Sequence, residues 1–262
     1  MQTRLLRMRT EPNETIQYYL RGESGDELHF NTLLGNEIQL HFKGEITCIE
    51  CNKSIRKTYQ GMCYPCFSTS PRAAECIIRP ELCRAHLGEG RDPEWEEQNH
   101  NQAHVVYLAL SGGLKVGVTR ATQVPARWID QGASQTIVLA QTPYRQLAGA
   151  IEMEIKQFIS DKTDWRKMLR NESPDVDILE QKEELAELLS SALLPFVSDD
   201  HKVHDWQYPV LEYPTKVSSV SLDKQPLIEG VLAGIRGQYL IFDGGKVMNI
   251  RNHSGYHVQI KL

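Results

Sequence analysis

Four cysteines, Cys48, Cys51, Cys63 and Cys66, form two Cys-x2-Cys pairs separated by eleven residues. Each pair puts two thiolates on one tight turn. Two such turns facing each other supply a tetrahedral set of four sulfurs, which suits zinc and leaves no position open for a substrate. The expected metal therefore builds shape and does no chemistry. Gly61 before the second pair and Pro65 inside it fit a reversing backbone. The segment Glu37 to Thr47 alternates apolar and polar residues, breaks at Gly44 and runs into Cys48, as expected of a strand, a turn and a second strand. With a return strand over Ser54 to Tyr59 this makes a zinc ribbon, too small to fold on apolar burial alone.

At 262 residues and 40% hydrophobic, the chain can bury a core and has room for one to three domains at roughly 100 to 200 residues each. A net charge of -5 argues against a protein coated in basic residues, so any polyanion site must be local. The first residues hold Arg4, Arg7 and Arg9 without an apolar run, unlike a secretion signal, and no apolar stretch approaches the ~20 residues needed to cross a bilayer. Metal-type cysteine spacing without a disulfide framework suits a reducing compartment, so a cytoplasmic protein with no membrane partner is expected.

Between Ser68 and His104 lie Cys76, Cys83, His86 and His100, a candidate second zinc set of the right ligand types but irregular spacing. The alternative is two buried thiols and surface histidines. Further on, the pattern changes to short apolar runs and glycines. Val105 to Leu110 and Leu114 to Val118 read as a hairpin around Ser111-Gly112-Gly113, a helix starts near Pro125 and stops at Gly132, and Ser134 to Gln141 is a third strand. Tyr144 to Ile159 reads as a helix with Leu147, Ile151, Ile155 and Phe158 on one face and Glu152 at the edge of that stripe. An acidic amphipathic segment and a Gly-punctuated β region, Val231 to Ile260, complete the chain.

The residues His104 to Phe158 resemble the GIY-YIG nuclease superfamily, whose core is a three-stranded antiparallel sheet with flanking helices. Tyr107 stands where the first motif strand carries its Tyr, and Lys115-Val116-Gly117 matches the Lys-Ile-Gly form of the second. Arg127 matches the helical Arg, and Glu152 the metal-binding Glu. The resemblance implies a phosphodiesterase in which Glu152 holds Mg2+ or Mn2+, Arg127 clamps the phosphate, Tyr107 orients or deprotonates water, and Lys115 lowers the Tyr107 pKa or neutralises phosphate. The whole chain also resembles an uncharacterised family of bacterial zinc-knuckle proteins. Taken singly, each motif residue has an ordinary structural reading as a strand aromatic, a surface charge or an ion-pair partner.

From His104 to Asn171 nine basic residues outnumber five acidic ones, and Arg120, Lys156, Trp165, Arg166 and Lys167 have the composition of a phosphate-contacting and base-stacking surface. The expected architecture is α+β, with an N-terminal β and zinc-binding region (1–103), a GIY-YIG-like domain (104–171), an acidic helix (172–200) and a C-terminal β unit (201–262). The expected function is a nucleic-acid-processing protein, an endonuclease in the leading reading. The alternatives are a DNA- or RNA-binding module without catalysis and a zinc-dependent scaffold for protein partners.

Overall fold

The computed structural model describes residues 1–262 as a mixed α+β protein with several sheets, divided into two compact units. One comprises residues 1–67 and 206–262, the other residues 68–205. This division differs from the four consecutive segments expected along the chain, because strands from the two ends pair with each other. In the first unit the strand Glu37–Thr47 lies between Tyr256–Lys261 and Leu227–Arg236, antiparallel to both. Ile38 and Leu40 alternate inward along it, and Ile228, Leu232, Val258 and Ile260 bury from its neighbours. Apolar alternation on three strands is satisfied by one shared face.

Gly44 does not make the expected turn. The strand continues through it with φ 81°, and the register against Tyr256–Lys261 shifts across this stretch, so the glycine serves a bulge. The return strand is short, Ser54–Ile55, pairing with Ile46 and Thr47. The C-terminal strands break at Gly237, Gly244-Gly245 and Gly255, as the sequence predicts.

In the second unit the hairpin His104–Leu110 and Leu114–Arg120 is joined by Gln135–Thr142, giving an antiparallel sheet with His104–Leu110 between the other two and the short strand His204–Asp205 on the outer edge of Gln135–Thr142. His104–Leu110 is buried at every position, as a central strand covered on both faces must be. One face packs Val106, Leu108 and Leu139 against Ile151 and Ile155 of the helix Arg145–Ile155, and against Ile178 and Leu185 of Ile178–Glu187. Both helices are shorter than their apolar patterns predict. The first stops at Ile155, leaving Phe158 54% exposed; the second stops at Glu187, leaving Leu188 49% exposed. No helix is long and apolar enough to cross a membrane.

The helix Arg145–Ile155 is held from outside the sheet by a close backbone approach. An added Cβ on Gly149 would lie 2.2 Å from the Glu81 nitrogen and 2.4 Å from the Pro80 carbonyl carbon. Arg145 at the start of the same helix donates to the carbonyls of Cys76 (2.9 Å) and Ile77 (3.0 Å). Replacing a helical Gly by Ala gains about 1 kcal/mol of propensity, but overpacking against backbone that cannot swing aside costs about 1–3 kcal/mol or more. Gly149→Ala is therefore expected to lower the melting temperature by several degrees. Gly113→Ala, which meets nothing within 4 Å, should leave it unchanged in the same thermal scan.

Candidate functional site

The Cys-x2-Cys pairs sit in the first unit at the end of the strand Glu37–Thr47, with Cys63 and Cys66 at the opening of the helix Tyr64–Thr69. Their turns are pinned by backbone bonds from Asn52 N to Cys48 O, Ile49 N to Gly61 O and Phe67 N to Cys63 O, each 2.9 Å. The four sulfurs lie within 4.8 Å of one another. Tetrahedral zinc with bonds of about 2.3 Å places sulfurs about 3.8 Å apart, and Cys51 Sγ and Cys63 Sγ are separated by 3.8 Å. The Cys63 amide donates to Cys48 Sγ at 3.2 Å. Burial opposes charge on Cys48, but backbone N–H groups of Cys51, Cys63 and Glu50 outweigh it and bring the thiol down to about 6. These four cysteines can hold a zinc ion, and the donor set fits it.

Of the second expected set, Cys76, Cys83 and His100 come together, but His86 does not join them. Its ring stacks on Tyr144 with centroids 4.6 Å apart and planes at 10°. The fourth member of the cluster is Glu96, one helical turn before His100. An i, i+4 Glu-His pair on a short helix was the available sequence signal, hidden because carboxylates are less frequent zinc ligands than Cys or His in structural sites.

The GIY-YIG-like residues occupy the second unit. Tyr107 comes from the central strand, Lys115 from the second strand of the hairpin, Arg127 from the helix Ala126–Asp130 and Glu152 from Arg145–Ile155. Tyr107 is fully buried, and its hydroxyl donates to Gln131 Oε1 at 2.7 Å. The same oxygen accepts from Lys115 Nζ at 3.2 Å, so Gln131 ties the two motif strands' side chains together. Gly117 faces this hydroxyl, and a Cβ there would stand 2.7 Å from it, which explains the glycine at the motif position. Gln131 has no counterpart in the motif read from sequence and was invisible there. After Glu152 the chain turns back so that Val116 N donates to Ser160 O at 2.9 Å, bringing Thr163 Oγ1 to 3.4 Å from Lys115 Nζ and Asp161 within its electrostatic reach.

Burial dominates the electrostatics of this pocket. It pushes the Glu152 carboxyl up to about 7 against the pull of Lys156, Arg145 and Lys115, with Asp161 adding to the rise. It lowers the Lys115 ammonium to about 8, helped by Arg127 and opposed by Glu152 and Asp161. Tyr107 is raised above its ordinary value by burial, while Arg127 and the bond to Gln131 pull it down without compensating. The expectation that Lys115 activates Tyr107 is thus corrected. The phenol's net shift is upward, so it is not acidified.

The expected nucleic-acid residues fall in three places. Trp165, Arg166 and Lys167 share the short helix Trp165–Leu169, with the Arg166 guanidinium 4.2 Å over the Trp165 ring and Asp164 capping the Arg166 and Lys167 amides. This helix packs on the hairpin tip, where Gly112 closely approaches Asp164 O and Met168 N. An open groove of about 560 Å³ beside it is lined by Gly112, Gly113, Lys167, Glu172, Pro174 and Gln181, among others. Lys156 closes the Glu152 helix and pairs with Asp161 at 3.0 Å. Arg120 bonds Asn99 at the far end of the hairpin, about 20 Å along the strand from Leu114 at ~3.3 Å per residue, and so does not extend the Trp165 surface.

Two outcomes follow from these environments. Cys63→Ser is expected to release one equivalent of zinc and to unfold the region around residues 48–67, checked by metal analysis and amide exchange. For Glu152, the folded carboxyl at about 7 lies above its ordinary 4.5, so the folded state holds the proton longer and stability falls as pH rises from 4.5 to 7. Lys115, at about 8 against 10.5, returns stability only as pH rises from 8 to 10.5. Glu152→Gln should accordingly be more stable than the parent at pH 7.5, by up to about 3 kcal/mol, and gain nothing at pH 4.5. Urea midpoints at the two pH values measure the difference.

No curated protein and no solved structure matches the chain. A family model described as a protein of unknown function, DUF2797, matches residues 35–258. The match takes in both cysteine clusters and the whole Tyr107 to Glu152 pocket, and the chain belongs to the DUF2797 family.

Proposed function

We propose that residues 104–171 form a GIY-YIG-like catalytic domain and that the protein is a divalent-metal-dependent endonuclease. The observation that supports this reading is that Tyr107, Lys115, Arg127 and Glu152, from four elements of one unit, are each an electrostatic neighbour of at least one other. Structural ion pairs are usually placed to satisfy charge. Here a carboxyl and an ammonium are both held with their charged forms disfavoured, as groups poised near neutral pH for proton or metal chemistry often are.

Glu152 would hold Mg2+ or Mn2+, which supplies positive charge for the phosphate oxygens and makes a bound water more acidic. Arg127 would neutralise a non-bridging oxygen of the scissile phosphate. Lys115, with a pKa of about 8, is the group in this pocket able to accept a proton from the attacking water at mildly alkaline pH. Tyr107, un-ionised and fixed by Gln131, would position that water. The Trp165–Arg166 stack and exposed Lys167 would contact the backbone and an unpaired base beyond the pocket. That exposed stack requires no catalytic chemistry and favours a second reading, in which the domain binds DNA or RNA without cutting it.

Cleavage of DNA or RNA is expected to require magnesium or manganese and to be lost in Glu152→Ala and Arg127→Ala, with binding retained in the Glu152 variant. Glu154→Ala is the control: Glu154 accepts from Ser190 N (2.8 Å) and Ser190 Oγ (2.9 Å), so its loss costs about 1–2 kcal/mol of stability and no cleavage. Substrates left intact by the parent across metals and nucleic-acid types would put the binding reading ahead. Binding should weaken steeply with salt and again in Lys167→Glu; salt-insensitive affinity in that variant would place the contact surface elsewhere.

A further inference from the structure

The stretch from Pro71 to His100 is built from short 3-10 turns and one eight-residue helix, and pairs with no sheet. Its apolar cluster is Ala74, Cys76, Cys83 and Ala85, while Ile78, Leu82 and Leu87 stand exposed. Burying four such small side chains cannot offset the ordering of some thirty residues at about 1–2 kcal/mol each. Yet this segment supplies the Pro80–Glu81 backbone against which Gly149 packs, so something else must hold it in place.

We propose that Cys76, Cys83, Glu96 and His100 form a second zinc centre, which braces the Pro80–Glu81 turn against the helix Arg145–Ile155 and thereby fixes Glu152. The four donors lie within 4.8 Å of one another, and all four residues are buried, Glu96 to 2% exposure and His100 to 3%. Tetrahedral zinc with ordinary bond lengths separates a nitrogen from an oxygen by about 3.3 Å and from a sulfur by about 3.6 Å. Glu96 Oε2 lies 3.5 Å and Cys76 Sγ 3.9 Å from His100 Nδ1, so closure on an ion needs movements of a few tenths of an ångström. Glu96 is oriented by its second oxygen, which accepts from Arg91 N at 2.8 Å. Gly90 leaves the room this carboxylate occupies, since a Cβ there would fall 2.3 Å from its carboxyl carbon.

The bracing runs along two connections. The turn between the two cysteines contains Pro80 and Glu81, whose backbone meets the Gly149 face of the helix. Cys76 O and Ile77 O, beside the first ligand, accept from Arg145 at the helix start. Seven residues separate Arg145 from Glu152, two turns along one face. The centre stands independently of the nuclease reading; only the importance of delivering Glu152 rests on it.

Full-length protein should carry two zinc equivalents, and its zinc-edge X-ray absorption should average three sulfurs per metal, from a four-sulfur and a two-sulfur site. One equivalent, or four sulfurs per metal, would overturn the centre without recourse to any variant. Cys83→Ser and Glu96→Gln should fall to one equivalent while His86→Ala keeps two. Loss in His86→Ala with retention in Glu96→Gln would overturn the ligand set. Amide exchange across Arg145–Ile155 should quicken about tenfold or more in Cys83→Ser. Unchanged protection in a variant that has lost its zinc would overturn the bracing. A parent holding two zincs that cleaves nothing would sink the nuclease reading and leave the centre supported.

Discussion

Taking Lys115 and Glu152 out of water is the constraint on which the arrangement of residues 68–205 depends. An isolated charge loses several kcal/mol on burial, more than a neighbour of opposite sign returns unless geometry is close. The chain does not pair these two directly. Lys115 spends its hydrogen bonds on the neutral oxygens of Gln131 and Thr163, and Glu152 is left with long-range attraction to Lys156, Arg145 and Lys115. A chain under pressure for stability alone would place Leu or Met at such positions. Retaining two ionisable groups in this state is a cost that stability does not explain, and this cost motivates the catalytic reading proposed above.

Such a pocket needs rigid walls, and the walls are of two kinds. On the sheet side, Val106, Leu108, Leu139, Ile151 and Ile155 interlock in an apolar core, so the backbone of the Glu152 helix is fixed by ordinary packing. On the other side lies a segment with almost no apolar core, which reaches the helix through backbone-to-backbone contact at Gly149. A close approach of that kind is sensitive to small displacements, because neither partner has side-chain rotamers with which to adjust. Metal coordination is the interaction best suited to such a wall. It fixes several points of a short segment at once and is strong enough to replace a missing core.

What could be read from the sequence, and what could not, follows from the range of the interactions involved. The Cys48 to Cys66 cluster was legible because knuckle spacing is local. So were the hairpin around Gly112 and the glycine-marked C-terminal strands, since turns and alternation are properties of neighbouring residues. Tyr107, Lys115, Arg127 and Glu152 were picked out by the order of a motif, and the fold makes them electrostatic neighbours, Arg127 and Glu152 each acting on both Tyr107 and Lys115. Gln131, which joins two of them, was missed because it lies in no motif and acts through a fold-dependent hydrogen bond. The presence of Glu96 where His86 was expected has the same origin: Cys76, Cys83 and His100 were legible as donors, but the stacking of His86 on Tyr144 and the inward turn of Glu96 depend on the fold. The pairing of the first and last segments in one sheet is the longest-range feature and had no local signature.

The chemistry open to the pocket is narrowed most by which group can exchange a proton. A phenol makes a useful base only where surrounding charge brings its pKa toward the working pH. Tyr107 has one nearby guanidinium working in that direction and complete burial working against it, and burial wins. Its hydroxyl is also already committed as a donor to Gln131. Lys115 is in the opposite position: desolvation, which makes it a poor cation, brings its pKa down to about 8 and makes its neutral amine more accessible. Burial moves the two groups toward each other, the Glu152 carboxyl up and the Lys115 ammonium down, so both titrate in the neutral to mildly alkaline range. A cation drawn to Glu152 would lower the Lys115 pKa further. A phosphate bound at Arg127 would raise it, retaining the ammonium where charge neutralisation is needed. On the nuclease reading proposed above, both effects would act through one lysine, whose position is fixed by Gln131 and by the chain returning at Ser160.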